Sequence, residues 1–329
     1  MSNPTNLHMR LGFGQISELT EEHMAFGKQC GAFDVVMNTP QLPGDAKWEF
    51  HDLLYLRMRA EKNGLRLASL ENVPLKFYDK IMVGLPGRDE QLANMTHTIR
   101  NMGAAGIPIL GYHWMPLHWL RTSFDDLVRG GAVSNSFDID LAKHAPLLHG
   151  REISEDEMWA NYDWYLERIL PVCEEAGVRL ALHPDDPPIP SIAGVARLFR
   201  NFDNFKRAMD THNSPMHGLD FCHGCWSEMR MGEGVLEAIE HFGRQGRIFY
   251  VHLRDVQGTA EHFTECFINE GQSDIFAVVR KLKEVGFDGI IIDDHVPHLV
   301  NDTVYGHRGR AYAMGYITAM IEIVNKLDG

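Results

Sequence analysis

One unit recurs along this chain: a helix-length stretch, a glycine, an apolar residue, then a short apolar run. Gly31, Gly64, Gly106, Gly177, Gly246 and Gly286 occupy the glycine position, where a left-handed residue closes a helix. Runs rich in β-branched residues predict strands at 9–14, 33–38, 65–71, 107–113, 178–183, 216–222, 248–252 and 289–294. Helices are predicted over 20–30, 48–63, 89–105, 155–176, 234–245, 275–285 and 310–326. Alternating strands and helices imply a parallel sheet. Eight units predict a closed (β/α)8 TIM barrel, one domain over 1–329. An open dinucleotide-binding sheet would carry a glycine fingerprint, and Gly12-Phe13-Gly14 lacks its third glycine. No Pro/Ser-rich linker divides the chain. The polar connection 122–153 is too long for an ordinary loop. It reads as an insertion after the fourth strand, as an active-site lid, an oligomer contact or a disordered segment.

Composition narrows the function. Lys+Arg number 31 against 45 Asp+Glu, a net charge of −14, which argues against a nucleic-acid partner. No apolar run reaches the roughly 18 residues that span a membrane, and residues 1–10 hold no apolar signal core. Five scattered cysteines, an odd number, fit reduced thiols in a cytoplasm better than a disulfide framework. The 18 histidines supply the usual proton carrier and metal ligand.

Barrel enzymes place their chemistry where strands end. The fifth strand ends on His183, followed by Pro184-Asp185-Asp186-Pro187-Pro188; the sixth ends on Cys222, the seventh on His252, the eighth on Asp293-Asp294-His295. Closure would bring two imidazoles, a thiolate and a carboxylate to one mouth. Carboxylate suits Mn²⁺, imidazole suits several ions, and thiolate pulls towards Fe²⁺ or Zn²⁺. Taken singly, Cys222 reads as a small buried hydrophobe, His252 as a core histidine and Asp294 as a turn cap. Four consecutive strand ends together favour a metal site. Cys222-His223-Gly224-Cys225 also matches C-x-x-C, but without a second pair or a thioredoxin-like context Cys225 is a neighbour and not a ligand.

These residues resemble the mannonate dehydratases of hexuronate catabolism, from about Met9 to the C-terminus. The most specific stretches are Leu180-Ala-Leu-His-Pro-Asp-Asp-Pro-Pro188, Gly218-Leu-Asp-Phe-Cys222, Phe249-Tyr-Val-His-Leu-Arg254 with Phe263-Thr-Glu265, and Asp294-His295. The resemblance implies a metal-dependent, xylose-isomerase-like barrel that dehydrates D-mannonate to 2-keto-3-deoxy-D-gluconate. It implies Mn²⁺ (alternatively Fe²⁺ or another divalent transition metal) held by His183, Cys222, His252 and Asp294. It further implies His295 and Tyr305 as catalytic residues, and a homo-oligomer. The chain departs from the family pattern at three places near the mouth. Ile292-Asp293-Asp294-His295-Val296 stands where the family has an Arg-Pro-Asp-His-Gly type sequence. Gly12-Phe13-Gly14 stands for Arg-Trp-Tyr, and Phe267-Ile268-Asn269 stands where the family tends to have a histidine. These changes bear on substrate identity.

Dehydrating a sugar acid needs a base for the proton beside the carboxylate and an acid for the departing hydroxyl. A divalent ion offsets the charge that develops. The substrate is an anion and the chain is acidic, so local arginines must oppose the global field. Arg254 and Arg121 lead as substrate-binding candidates, ahead of Arg88, Arg308 and Arg310. Glu71 and Asp186 join them, although Glu71 also reads as a rim ion-pair partner and either Asp185 or Asp186 as a brace for its proline-rich loop. Two rivals stand beside the dehydratase. One is a sugar isomerase or epimerase using paired carboxylates, Glu71 with Asp293 or Glu265. The other is a non-catalytic metal-binding barrel.

Overall fold

The computed structural model describes residues 9–327. The two ends of the 1–329 span, including most of the 1–10 stretch without a signal core, lie outside them. Eight parallel strands close into a barrel: β1 (Arg10–Ile16), β2 (Asp34–Asn38), β3 (Arg66–Glu71), β4 (Ile109–Tyr112), β5 (Arg179–Leu182), β6 (His217–Cys222), β7 (Ile248–His252) and β8 (Ile290–Ile292). They neighbour one another in sequence order, and β1 pairs with β8 through Arg10–Ile290 and Leu11–Ile291. A helix follows each strand: α1 (Glu21–Gln29), α2 (Phe50–Lys62), α3 (Arg88–Ala104), α4 (Glu155–Ala176), α5 (Phe202–Thr211), α6 (Val235–Arg244), α7 (Ile275–Glu284) and α8 (His307–Leu327).

Local chemistry explains the boundaries. Ser154 opens α4 with a capping box: its hydroxyl accepts from the Glu157 amide while Glu157 reaches back to the Ser154 amide. Gly177 closes the same helix at φ 68°, a conformation that costs a side-chain-bearing residue. α5 was not among the predicted helices. Its ten residues bury only Phe205, Ala208 and Met209, too short an apolar stripe to stand out from a polar stretch.

The core has two layers. Val36, Ala68, Ile109, Ala181, Tyr250 and Ile292 belong to a cluster filling the barrel interior. A larger cluster, including Phe13, Leu180, Leu219, Ile239 and Ile317, packs strands against helices. Gly111 is required inside: a Cβ there would collide with the Tyr250 hydroxyl.

The connection after β4 enters a second, smaller sheet. Strands Ser123–Val128 and Ala132–Asp138 form a hairpin, and Ala132–Asp138 pairs antiparallel with His262–Cys266 from the connection after β7. Asp255–Thr259 completes this four-stranded sheet. Sequence periodicity did not link segments so far apart, because antiparallel register between loops is set by tertiary contact.

Candidate active site

β5 to β8 deliver their end residues to one mouth. The ladders of β5 and β8 stop at Leu182 and Ile292, so His183, Asp294 and His295 leave the sheet and turn over it. Ligand atoms of His183, Cys222 and His252 all lie within 4.8 Å of one another. Asp294 Oδ2 is 3.7 Å from Cys222 Sγ and 3.9 Å from His252 Nδ1. Donors about 2.0–2.3 Å from a shared ion stand roughly 3–4 Å apart, so the spacing fits a transition ion. The donor set of two imidazoles, a thiol and a carboxylate fits as well. Nδ1 of buried His252, the nitrogen facing Asp294, lacks a hydrogen-bond partner, the state of a ligand awaiting a cation. His183 Nδ1 donates to the Pro184 carbonyl at 2.7 Å, which leaves Nε2 free to ligate.

Electrostatics favour the ligand form of Cys222, the thiolate, and pair it with a protonated His183. Burial raises the Cys222 thiol's pKa, but a hydrogen bond from Cys225 and the charges of Arg254 and His183 outweigh it and hold the thiol well below its ordinary value. Burial lowers the pKa of His183, yet the Cys222 thiolate and Asp220 push it up to about 10. No cysteine of the five is disulfide-bonded, and Cys225 lies against Arg254, with Sγ 3.4 Å from Nη2.

His183, Asp294, His295, Glu71 and Asp186 line one cavity of about 390 Å³, within the range of small-molecule sites. Cys222 and His252 are buried beside the lining residues His183 and Asp294. His295 donates from Nδ1 to Glu265 Oε1 at 2.5 Å, and its Nε2 lies 3.7 Å from Asp294 Oδ1. Trp119 packs on the His295 ring at 5.2 Å. Burial lowers the His295 pKa, but Asp294 and Glu265 overcome that and raise it above the ordinary imidazole value.

Arg121 and Arg254 do not line this cavity. Arg121 grips Asp186 bidentately at 2.6 and 2.9 Å and donates to Glu265 at 2.6 Å. Arg254 donates to Asp294 at 2.8 Å, Glu228 at 3.0 Å and Asp186 at 3.2 Å. The two guanidiniums thus lace the buried carboxylates together. Against the burial that would raise it, Arg121 and Arg254 keep Asp186 ionised. Asp185 braces its loop, accepting from the Phe199 amide at 2.6 Å. Asp293 pairs with Arg310 at 2.6 Å and does not line the cavity. Of the remaining arginines, Arg88 lies over Trp164 and Arg308 donates to the Val300 carbonyl.

Tyr305 is not brought beside the ligand set. Its hydroxyl donates to the Gly14 carbonyl at 2.8 Å, and it lines an adjoining cavity of about 640 Å³ that shares Gln15 and His295. Burial raises its phenol pKa.

Several cavity residues escaped sequence reasoning. Gln15, Thr39 and Asn72, at the ends of β1, β2 and β3, line the cavity and hold positive φ of 57°, 42° and 61°. Such backbone strain persists where packing enforces it and gathers at functional sites. Asn38 bridges the group, donating to Gln15 at 3.0 Å and to Glu71 at 3.2 Å. The usable signal was a polar residue at each strand end. Glu265, expected from the sequence only as a possible epimerase carboxylate, arrives on the second sheet and pairs with His295.

A family model described as D-mannonate dehydratase (UxuA) matches residues 9–148 and 141–328. Mannonate dehydratase of Thermotoga maritima is 30% identical over 328 residues, 87% of this chain and 89% of that protein. That of Thermotoga neapolitana is 29% identical with the same coverage. The crystal structure of mannonate dehydratase from Streptococcus suis serotype 2 superposes with a TM-score of 0.90 at 29% identity, covering 98% of this chain and 95% of that one. An L-ribulose 3-epimerase superposes at TM-score 0.62 with 14% identity, covering 97% of each chain, a likeness of fold alone.

Proposed function

The chain belongs to the mannonate dehydratase family of hydro-lyases, and on that premise we propose that it dehydrates D-mannonate to 2-keto-3-deoxy-D-gluconate. The observation that carries the reading is the convergence of His183, Cys222, His252 and Asp294 at a cavity that His183, Asp294 and His295 line, with His295 paired to Glu265. The proposed ion is Mn²⁺, with Fe²⁺ the thiolate-favoured alternative. When bound there, it supplies Lewis-acid stabilisation to the substrate's carboxylate and hydroxyl oxygens.

The chain's own groups do the rest. Among the described residues lining the cavity there is no lysine or arginine, so imidazoles and the amides of Gln15, Asn38 and Asn72 face the polyol. Glu71 and Asp186 offer acceptors for its hydroxyls. Arg121 and Arg254 act by fixing Asp186, Glu265 and Asp294. His295 takes the proton beside the carboxylate through Nε2, while Glu265 steadies the imidazolium from Nδ1. Tyr305, whose phenol burial keeps protonated, is the candidate acid for the departing hydroxyl. That role requires its hydroxyl to leave the Gly14 carbonyl. The 122–153 segment reaches the site through Asn135, which donates to Glu265 Oε2 at 2.9 Å and lines the adjoining cavity. Exposed Leu127 and Phe124 on its hairpin, at 73% and 61%, support self-association into a homo-oligomer. No helix of the described residues is long and apolar enough to cross a membrane, and the unpaired cysteines support a cytoplasmic setting.

Incubating the Mn²⁺-loaded chain with D-mannonate should yield a 2-keto-3-deoxy acid in a carbonyl-specific assay. Absence of product from any aldonate, with proton exchange into a keto sugar instead, would replace the dehydratase reading by the isomerase.

A second expectation follows from His183. Its imidazole holds a proton up to about pH 10 beside the Cys222 thiolate, and a ligand must be neutral. Metal affinity should therefore rise with pH below that value, by about tenfold per unit for each proton displaced. Chelator-competition titrations across pH check this; a flat response would exclude His183 as a ligand.

A further inference from the structure

We infer that Glu71 and Asp220 are positioning residues for His252: their negative charges flank its Nε2 from below and keep the hydrogen there, so that Nδ1 is the nitrogen presented towards Cys222 and Asp294. The inference rests on the metal assignment proposed above.

The register of β6 and β7 sets Cys222 opposite His252 and Asp220 opposite Tyr250. Residues two apart on a strand share a face, so Asp220 lies one layer beneath Cys222 inside the barrel. Asp220 is 0% exposed, His252 1% and Glu71 3%. His252 Nε2 is 2.9 Å from Glu71 Oε2 and 3.5 Å from Asp220 Oδ1, while Nδ1 faces Asp294 Oδ2 at 3.9 Å. A bare nitrogen so close to a carboxylate oxygen would set lone pair against lone pair. The hydrogen therefore belongs on Nε2 and the free lone pair on Nδ1.

Apart from Asn38 at Glu71 Oε1 and the Tyr250 hydroxyl near Asp220, the two carboxylates face the imidazole. Neither Asp220 oxygen nor Glu71 Oε2 has a hydrogen-bond partner, and a buried carboxylate without one is expensive. The imidazole they face accounts for their presence. Asn38 donates to Glu71 Oε1 at 3.2 Å, which keeps Oε2 turned towards the ring. His183 follows the same logic with a different anchor, its Nδ1 tied to the Pro184 carbonyl. A carboxylate anchor both orients an imidazole and makes it a stronger donor to a metal. The competing arrangement is a second ion held by Glu71, Asp220 and His252, whose ligand atoms lie within 4.8 Å of one another.

The test titrates metal-free chain with Mn²⁺ alone against a chelator, for the parent, Asp220→Asn, Glu71→Gln and Cys222→Ser. Expected are one Mn²⁺ per chain, affinity weakened about 10–100-fold in Asp220→Asn and Glu71→Gln, and binding lost in Cys222→Ser. At saturating Co²⁺ the thiolate-to-cobalt absorption should keep its position in the two carboxylate variants; loss of that band would mean a collapsed site and overturn the positioning role. Unchanged Mn²⁺ affinity in both variants, with loss in Cys222→Ser, overturns the inference and leaves the metal assignment standing. Unchanged affinity in Cys222→Ser overturns the assignment itself. Two ions per chain, one of them lost in Asp220→Asn, would make the carboxylates ligands and overturn the inference by another route.

Discussion

His295→Asn is expected to lower turnover of D-mannonate by about 10²–10⁴-fold while metal content stays at the parent level. Asparagine keeps a polar group beside Glu265 but cannot carry a proton from carbon. The ring makes no contact with Cys222 or His252 among those described, and its Nε2 stands 3.7 Å from Asp294 Oδ1, so its loss should leave the ligand set in place. A pH profile sharpens the test. Asp294 and Glu265 raise the His295 pKa above the ordinary value near 6.5, against the burial that lowers it. A base must be unprotonated, so activity should fail as pH drops through a value above 6.5. Removing one of the two negative charges in Glu265→Gln should move that acidic limb to lower pH. Parent-like turnover in His295→Asn would remove it from the chemistry.

Arg254→Met should cost about 3–5 kcal/mol of folding stability, because it breaks buried ion pairs by deleting one partner. Arg254 is 2% exposed and donates to Asp294, Glu228 and Asp186. Methionine fills much of the volume but leaves those carboxylates buried without their cation. Arg254→Lys should fall between, since one ammonium cannot reproduce the guanidinium fork. Urea midpoints measure the loss. A substrate-binding arginine would behave differently: stability near the parent's, with a raised KM. That outcome would show that the guanidinium meets substrate and not only the carboxylates around it.

The two variants separate what was legible in the sequence from what was not. His183, Cys222, His252 and Asp294 could be read because each sits at or just beyond a strand end, and a closed barrel admits only one place for four consecutive ends to meet. The same reading ranked Arg254 as a substrate group. Its position just past a ligand was visible, but the four carboxylates that surround it come from the β5 loop, the segment after β6, the second sheet and the end of β8. Glu71 was likewise visible as a strand-end acid. Its orientation towards His252 depends on the barrel's register.

Periodicity, helix-closing glycines and the alternation of strand and helix determined the barrel, its order of strands and the face on which chemistry would lie. Those are local properties, set by backbone preference and by the burial of one face of each element. Tertiary structure alone decided the partners. It set the second sheet that carries Glu265 to His295, the arginine lacing of the buried carboxylates, the tether of the Tyr305 hydroxyl to Gly14, and the pair of carboxylates at His252. The physical reason is range. A strand's inward face follows from its own residues, whereas an ion pair or hydrogen bond between separate segments, 30 residues apart for His295–Glu265 and 291 for Tyr305–Gly14, exists only once the barrel has closed.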